Sequence, residues 1–222
     1  AARAAAIVRG GELSAVTALR RDMIAAPDSD DATEAWAAIA DSNVRIDGGS
    51  FDLAVADAQG RFNLNNLRSN DAVELGLFNR ITEAAGLSIE QRALVYGYVI
   101  DHGPIIDLRP LRLAGLEADK AARLEAMVTA LPDHTKVNIN AAPAELMAVL
   151  FADVTKAAQL DGVRAAKGVL SAQDLTDAKV TLPPNAGFTS RDFWVHTRVR
   201  IGDTAQQSAA LIQRRRSQVD GT

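Results

Sequence analysis

Residues that could carry out catalysis or hold a metal are scattered through this sequence rather than grouped. The three histidines, His102, His134 and His196, lie far apart along the chain, and there is no cysteine. The sequence has no Ser/His/Asp spacing, phosphate-binding glycine loop or zinc-ligand pattern. Carboxylates are plentiful, but no spacing pairs two of them for acid–base work. The residue types therefore disfavour an enzyme and exclude disulfides and thiolate metal sites.

The most distinctive polar residues are asparagines in two similar motifs. The first asparagine motif, "RFNLNNL" at residues 61–67, and the second, "KVNINAAPAEL" at residues 136–146, alternate asparagine with apolar residues and run into helical-looking segments. Asparagine amides accept hydrogen bonds from the exposed N–H groups of a first helical turn, so the start of a helix explains both motifs. A ligand site is the alternative, and the pattern favours helix starts.

The elements that position these motifs begin with a helix and continue with strands. Apolar residues at helical spacing predict a first helix to about residue 24, and the sequence at 32–41 predicts a second, short helix. From residue 44 onward, alternating apolar residues predict two antiparallel strands joined by a turn at residues 57–60.

A helical block and a final hairpin follow. Alanine- and leucine-rich patterns predict short helices from residue 69 to about 173. At residues 193–201, "FWVHTRVRI" alternates, which predicts a strand with Phe193 and Val195 on one face and Trp194 on the other. The Gly-Asp pair at residues 202–203 predicts a hairpin turn into a partner strand.

The predicted fold class is α+β. The strands before and after the helical block are too few to form separate sheets, so we expect one antiparallel sheet packed against the N-terminal helix. A mostly helical domain is inserted between its strands. The predicted boundaries are residues 1–68 for the N-terminal helix and first strands, 69–185 for the inserted domain and 186–222 for the closing strands and tail.

Composition limits the possible functions. Hydrophobic residues make up 48% of the 222 residues and charged residues 23%, as in ordinary globular proteins. The formal net charge of −4 disfavours a dedicated nucleic-acid binder.

Several motifs together resemble the K-type minor pseudopilins of type II secretion systems. They are "GRFNLNNL" after a strand, "VNINAAPAELMAVL" after a helical stretch, and "EAWA" around Trp36. The order of helix, inserted helical domain and closing "FWVHTRVRI" hairpin agrees as well. The likeness covers nearly the whole chain, and the asparagine motifs are its most specific parts.

The resemblance implies a non-enzymatic protein of pilin-like fold, with its globular part in the periplasm of a Gram-negative bacterium. A single hydrophobic N-terminal helix, absent from this sequence, would anchor it in the inner membrane. Family members assemble with I-type and J-type minor pseudopilins in a complex that initiates the pseudopilus for protein export and lies at its tip. No nucleic acid is expected as a partner.

The first predicted helix offers more apolar surface than one small sheet needs, and surplus apolar surface marks an interface. The partner-binding candidates on this helix are Ile7, Val8, Leu13, Val16 and Leu19. The alternative is that they pack on the chain's own sheet, which we favour for Val16 and Leu19.

Calcium is the one cofactor that the resemblance suggests. Family members commonly carry a long acidic loop associated with calcium, and the corresponding "YVIDHGPIIDLRPLRL" is far shorter. Asp101 matches the start of that loop and Asp107 is a nearby carboxylate, so these two are the calcium candidates. They supply few of the six to eight oxygens that calcium prefers. Another acidic group, at Asp28, Asp30, Asp31 and Glu34, is interpreted as helix capping.

The alternative function from another class is DNA binding by a helix-hairpin-helix module. Asn-x-Asn before a small-residue helix start also occurs in such modules, which grip phosphate with the backbone N–H groups of a glycine-bearing hairpin. After the second asparagine motif this glycine hairpin is missing. Basic residues nearby are limited to Lys156, Arg164 and Lys167.

Overall fold

The computed structural model describes residues 2–113 and 115–215. The chain forms two compact units. The sheet unit contains the chain up to Asp57 and from Thr189 onward, and the helical unit contains Ala58–Phe188. The sequence predicts these boundaries at 68/69 and 185/186, whereas the structure has them at 57/58 and 188/189. The first asparagine motif, residues 61–67, therefore lies in the helical unit instead of the sheet unit. Residues 216–222 of the predicted tail lie outside the described residues.

The elements follow the predicted order of helix, strands, helical block and strands. In chain order they are α1 (Ala2–Ala25), β1 (Ala40–Ile46), β2 (Gly49–Asp57), β3 (Phe62–Asn63), a 3₁₀ helix (Leu64–Ser69), α2 (Ala72–Ala84), α3 (Ile89–His102), α4 (Arg109–Leu113), α5 (Ala118–Met127), β4 (Val128–Thr129), β5 (Val137–Asn138), α6 (Ala144–Phe151), α7 (Val154–Lys167), α8 (Ala172–Asp177), β6 (Ala186–Gly187), β7 (Asp192–Ile201) and β8 (Thr204–Gln213).

The sheet unit contains one antiparallel sheet with the strand order β1-β2-β7-β8. Strand β2 pairs with β7 along its full length, from Gly49 opposite Ile201 to Asp57 opposite Phe193. Strands on either side of the helical block therefore share one sheet, and α1 packs on it. The predicted α+β fold, with a helical insertion between the strands, is confirmed.

The core of the sheet unit lies between α1 and the inner face of the sheet. Leu19 of α1 is buried with Leu53, Val195 and Phe193, and Trp36 meets the Phe193 ring edge-on at 4.9 Å between centroids. Burying each large apolar side chain contributes about 1.5–3 kcal/mol. Alternation along β7 buries Phe193 and Val195 on the predicted face.

The helical unit has its own, larger core, in which residues from both asparagine motifs are buried. Its only strands among the described residues are two short parallel pairs, β3 with β4 and β5 with β6. Within the described residues, no helix combines the length and apolar character required to cross a bilayer.

Two local predictions are wrong. Residues 32–38 form turns instead of a helix, because the Asp31 carboxylate binds the Thr33 N–H at 2.8 Å and Trp36 turns into the core. The first hairpin turn lies at Asp47 and Gly48, between β1 and β2. Residues 58–60, which were predicted to form that turn, begin the helical unit.

Candidate interaction surface

The five candidate partner-binding residues of α1 lie on different sides of the helix. Val8 and Leu19 are buried, Val8 against Val199 and Leu19 in the main core of the sheet unit. Ile7 and Val16 are half-buried. Leu13 is 68% exposed and points away from the sheet. The surface that α1 leaves for a partner is therefore centred on Leu13.

This outer face of α1 continues towards its C-terminal end. A shallow depression of about 390 Å³ is lined by Leu13, Ser14, Thr17, Ala18 and Arg21. The hydroxyls of Ser14 and Thr17 donate to the carbonyls one turn earlier, at 3.0 and 2.9 Å. Both hydroxyls therefore have hydrogen-bond acceptors within the helix, so a partner that covers this face leaves neither hydroxyl donor unpaired.

The two ends of this face differ in relief. Near its start, a Cβ added at Gly10 would meet no atom within 4 Å, so the helix surface is low and open there. Near its end, Ile24 is 80% exposed and Arg20 and Arg21 are exposed beside it. A shallow helix face with exposed apolar side chains and flanking basic residues suits docking of another amphipathic helix or sheet.

A buried polar cluster closes the sheet unit at the end of β8. The Arg214 guanidinium donates to Asp22 on α1 at 3.0 Å, to Asp30, and to the backbone carbonyls of Leu19 and Ser190. It also stacks on the Phe193 ring at 4.5 Å. The sequence gives no signal for this pairing, because its partners are far apart along the chain.

Glu34 joins this cluster from the turn before β1. Its carboxylate accepts from the Trp36 Nε1 at 2.6 Å. Burial, together with the nearby charge of Asp22, raises the pKa of the Glu34 carboxyl to about 7, against the lowering effect of the Trp36 hydrogen bond. Burial also raises the pKa of Asp30.

This cluster is the one place among the described residues where three acidic side chains converge, with oxygens of Asp22, Asp30 and Glu34 within 4.8 Å of one another. The Arg214 guanidinium already supplies the positive charge there. Of the acidic residues interpreted as helix caps, Asp31 instead closes the turn at Thr33, and Asp30 binds Arg214 and the Ser190 N–H at 2.7 Å.

The calcium candidates Asp101 and Asp107 lie outside that convergence. Asp101 is exposed near the end of α3. The Asp107 carboxylate accepts from the Arg109 backbone N–H at 2.9 Å and from its guanidinium, and these bonds lower the pKa of Asp107. Calcium binding stays a prediction. Equal thermal stability in calcium and in chelator would count against it.

The two asparagine motifs have the same hydrogen-bonding pattern, and their side chains bind backbone groups of the helical unit. In each, the first asparagine accepts from the backbone N–H two residues later: Asn63 from Asn65 at 3.1 Å, and Asn138 from Asn140 at 3.0 Å. Asn63 is also the N-cap of the 3₁₀ helix. The predicted role at helix starts is confirmed for the first motif. In the second motif α6 begins at Ala144 with Pro143 as its N-cap, and no side chain caps it.

The second asparagine of each motif binds both backbone groups of one distant residue. Asn65 accepts from the Ile105 N–H at 2.9 Å and donates to its carbonyl at 2.8 Å. Asn140 accepts from the Leu170 N–H at 2.7 Å and donates to its carbonyl at 3.4 Å. Each captured residue follows the second helix after its motif. The helical unit thus contains the same module twice. Each module consists of a short strand, a pair of helices and a loop that the second asparagine of the motif binds.

The basic residues near the second asparagine motif are engaged inside the helical unit. The Lys156 ammonium donates to the Ala178 carbonyl at 2.7 Å. The Arg164 guanidinium donates to the Ile139 carbonyl at 2.6 Å, and Lys167 pairs with Asp174. Between α6 and α7 the chain turns at Ala152, in the left-handed region, without a glycine. The connection between α6 and α7 therefore lacks the glycine hairpin with which helix-hairpin-helix modules bind phosphate.

Comparisons with known proteins agree with the motifs. The chain is 27% identical to the type II secretion system protein K of Pseudomonas aeruginosa over 92% of its own length and 74% of that protein. Its fold matches a chain in the crystal structure of the GspK-GspI-GspJ complex from the enterotoxigenic Escherichia coli type 2 secretion system, with a TM-score of 0.71, 17% identity, and coverage of 96% of this chain and 91% of that one. No family model matches. The resemblance to K-type minor pseudopilins is confirmed.

Proposed function

We propose that this protein is a K-type minor pseudopilin that assembles with I-type and J-type minor pseudopilins at the tip of a type II secretion pseudopilus and helps to initiate it for protein export. The observation that carries the proposal is the sheet unit interrupted by a helical insertion, a fold shared with a chain of the GspK-GspI-GspJ structure over 96% of this sequence. The proposed work is assembly by surface packing, without catalysis.

The outer face of α1 supports this role. Leu13 and Ile24 are exposed on a helix whose opposite side packs on the sheet. A neighbouring subunit that covers Leu13 would gain about 1.5–3 kcal/mol from that side chain. We further propose a periplasmic location for this region and attachment to the inner membrane, which the resemblance implies.

The test is co-purification of the protein with soluble I-type and J-type pseudopilin domains from the same secretion system. We expect a stable complex. Leu13→Asp should weaken it about tenfold or more, because a carboxylate would replace buried apolar surface. Ile89→Asp is the matched control, since Ile89 is 76% exposed at the start of α3, where an acidic residue is favourable.

Each result has a distinct meaning. Binding that Leu13→Asp leaves unchanged would remove the outer face of α1 from the interface. Failure of the unaltered protein to form any complex with these domains would contradict the proposed function. A clear shift of duplex DNA at moderate salt would favour the DNA-binding alternative instead.

A further inference from the structure

We propose that the outer edge of β8 binds an extended segment of a partner subunit, which joins the sheet as a fifth strand and carries an acidic side chain facing Arg200 of β7. This inference rests on the proposed function, because the partner subunits are those of the pseudopilin complex. It specifies the mode of contact, addition of a strand through backbone hydrogen bonds, rather than packing of side chains alone.

The hydrogen-bonding pattern shows which groups of β8 face outward. Strand β8 ends the sheet order and pairs only with β7 among the residues described. The Arg214 N–H donates to the Arg191 carbonyl at 2.6 Å, so the even-numbered residues of this strand bond to β7. The backbone N–H and C=O groups of Ala205, Gln207, Ala209 and Leu211 consequently point away from the sheet.

The two edges of the sheet differ in how well they are protected against pairing with a strand of another chain. At the β1 edge, the pairing with β2 is irregular between Asp41 and Val44, Asn43 has a φ of 52°, and its N–H binds the Asp52 carboxylate at 2.6 Å. Bulges and charges of this kind prevent pairing with another chain. Strand β8, "TAQQSAALIQ", is regular over all ten residues and contains neither a charged residue nor a proline.

Burial indicates that, within residues 2–113 and 115–215, no segment covers the outer edge of β8. None of its residues is buried, whereas Val195 and Val199 on β7 are. On the inner face, the Ser208 hydroxyl donates to Glu12 of α1 at 3.0 Å, and Ile212 remains half-exposed. Val16 lies one turn after Glu12 on the same side of α1 and is also half-exposed. A fifth strand would cover this ledge between α1 and the edge.

Charge on the outer face selects the partner. Arg198 and Arg200 are exposed on β7 and lie opposite Gln207 and Ala205 of β8. Ala205 is too small to screen Arg200 from the position of a fifth strand. Arg198 lies opposite Asp52 of β2, whereas Arg200 lies opposite Ser50. A carboxylate on the incoming strand would therefore meet the Arg200 cation across a low, uncharged β8.

Amide hydrogen exchange in the complex with soluble I-type and J-type domains tests the inference directly. Exchange at the amides of Ala205, Gln207, Ala209 and Leu211 should slow about tenfold or more on complex formation, because each would acquire a backbone acceptor. Contact through side chains alone would leave alternate, outward-facing amides unprotected.

Variants provide an independent readout. Ala209→Pro removes an outward N–H but none of the bonds to β7, and should weaken the complex about tenfold or more. Ala209→Thr keeps the N–H at the same position and is the matched control. Arg200→Glu should weaken the complex in the same direction without altering the edge.

The outcomes separate this inference from the proposed function. A complex that forms without protection of the outward amides and is insensitive to Ala209→Pro overturns the inference alone. If the unaltered protein forms no complex, the proposed function fails and the inference falls with it. If β8 amides become protected in the protein alone as it dimerises, the occupant is a second copy and the inference is overturned.

Discussion

The Arg214 side chain joins polar groups from α1, from the segment between α1 and β1, and from the residues before β7. Its side chain is 7% exposed and neutralises Asp22 and Asp30, which are equally buried. Removing one partner of such a group leaves a buried charge uncompensated, which costs about 3–5 kcal/mol.

We therefore expect Arg214→Met to lower the free energy of unfolding of the sheet unit by about 3–5 kcal/mol. Both tryptophans, Trp36 and Trp194, lie in this unit, so their fluorescence during urea denaturation measures it. Arg215→Met is the control, because Arg215 is exposed. A loss no greater than that of the control would contradict the role of Arg214.

Glu34 gives the sheet unit a specific pH dependence. In the folded protein its carboxyl keeps its proton up to about pH 7, while the unfolded chain releases it near the ordinary value of 4.5. The folded state thus binds more protons between these values, and the free energy of unfolding falls as the pH rises through that window.

Glu34→Gln has no proton to lose, so we expect the variant to gain stability relative to the unaltered protein between pH 5 and pH 8. Urea denaturation at both pH values, followed by tryptophan fluorescence, measures the difference. Glu83→Gln, at an exposed position, should follow the unaltered protein. Parallel pH profiles for the unaltered protein and Glu34→Gln would exclude this effect.

Single residues were only partly predictable from the sequence. Leu13 and Val8 are both apolar residues on one helix, and periodicity alone did not separate the exposed side chain from the buried one because the apolar stripe is broad. The acidic residues at 28–34 were interpreted as helix caps, whereas Asp30 pairs with an arginine distant along the chain. Such long-range pairs leave no local spacing to detect.

At the scale of elements, the helical unit depends on amides that take the place of backbone partners. Asn65 and Asn140 are buried, and each binds the N–H and C=O of a loop residue as a neighbouring strand would. Their removal leaves buried backbone groups without partners, at about 1–3 kcal/mol for each group.

We expect Asn65→Ala and Asn140→Ala to destabilise the helical unit by about 2–4 kcal/mol each, because they remove equivalent bonds in the two modules. Thermal unfolding followed by far-ultraviolet circular dichroism measures the loss. Gln173→Ala changes an exposed amide and should cost less than about 0.5 kcal/mol. If one asparagine variant behaved like this control, the two modules would not be equivalent.

Strands with a regular alternation of apolar and polar residues were predictable, whereas segments whose path depends on side-chain hydrogen bonds and burial were not. Phe193 to Ile201 alternate without interruption, so the sequence predicted β7, its inner face and the hairpin into β8. Residues 32–38 have helical composition, but the Asp31 carboxylate binds Thr33 and the burial of Trp36 sets the chain path. A local pattern cannot report such tertiary contacts.

At the scale of the whole molecule, the two ends of the helical unit lie close to each other. The Asn138 N–H donates to the Gln59 carbonyl at 2.8 Å, and the Ile139 N–H donates to the Gly187 carbonyl at 2.9 Å. Both ends of the insertion therefore lie against β5. Close ends and a separate core are the properties of a unit that can fold alone.

We expect residues 58–188, expressed alone, to fold cooperatively with the helical content of the full chain. Circular dichroism and a single thermal transition measure this, and Leu77→Ala, which opens a cavity in the core, should lower the melting temperature. A disordered fragment would show that the sheet unit is required for its folding.

The alignment of α1 with the sheet determines how the sheet unit resists force. Val8 lies against Val199 near one end of β7, Leu19 packs with Val195 nearer the other, and Arg214 fastens the far end of α1. A pull on the start of the helix along its axis would load these contacts in shear, all at once rather than one after another. The sheet unit is thus arranged to bear tension applied along α1.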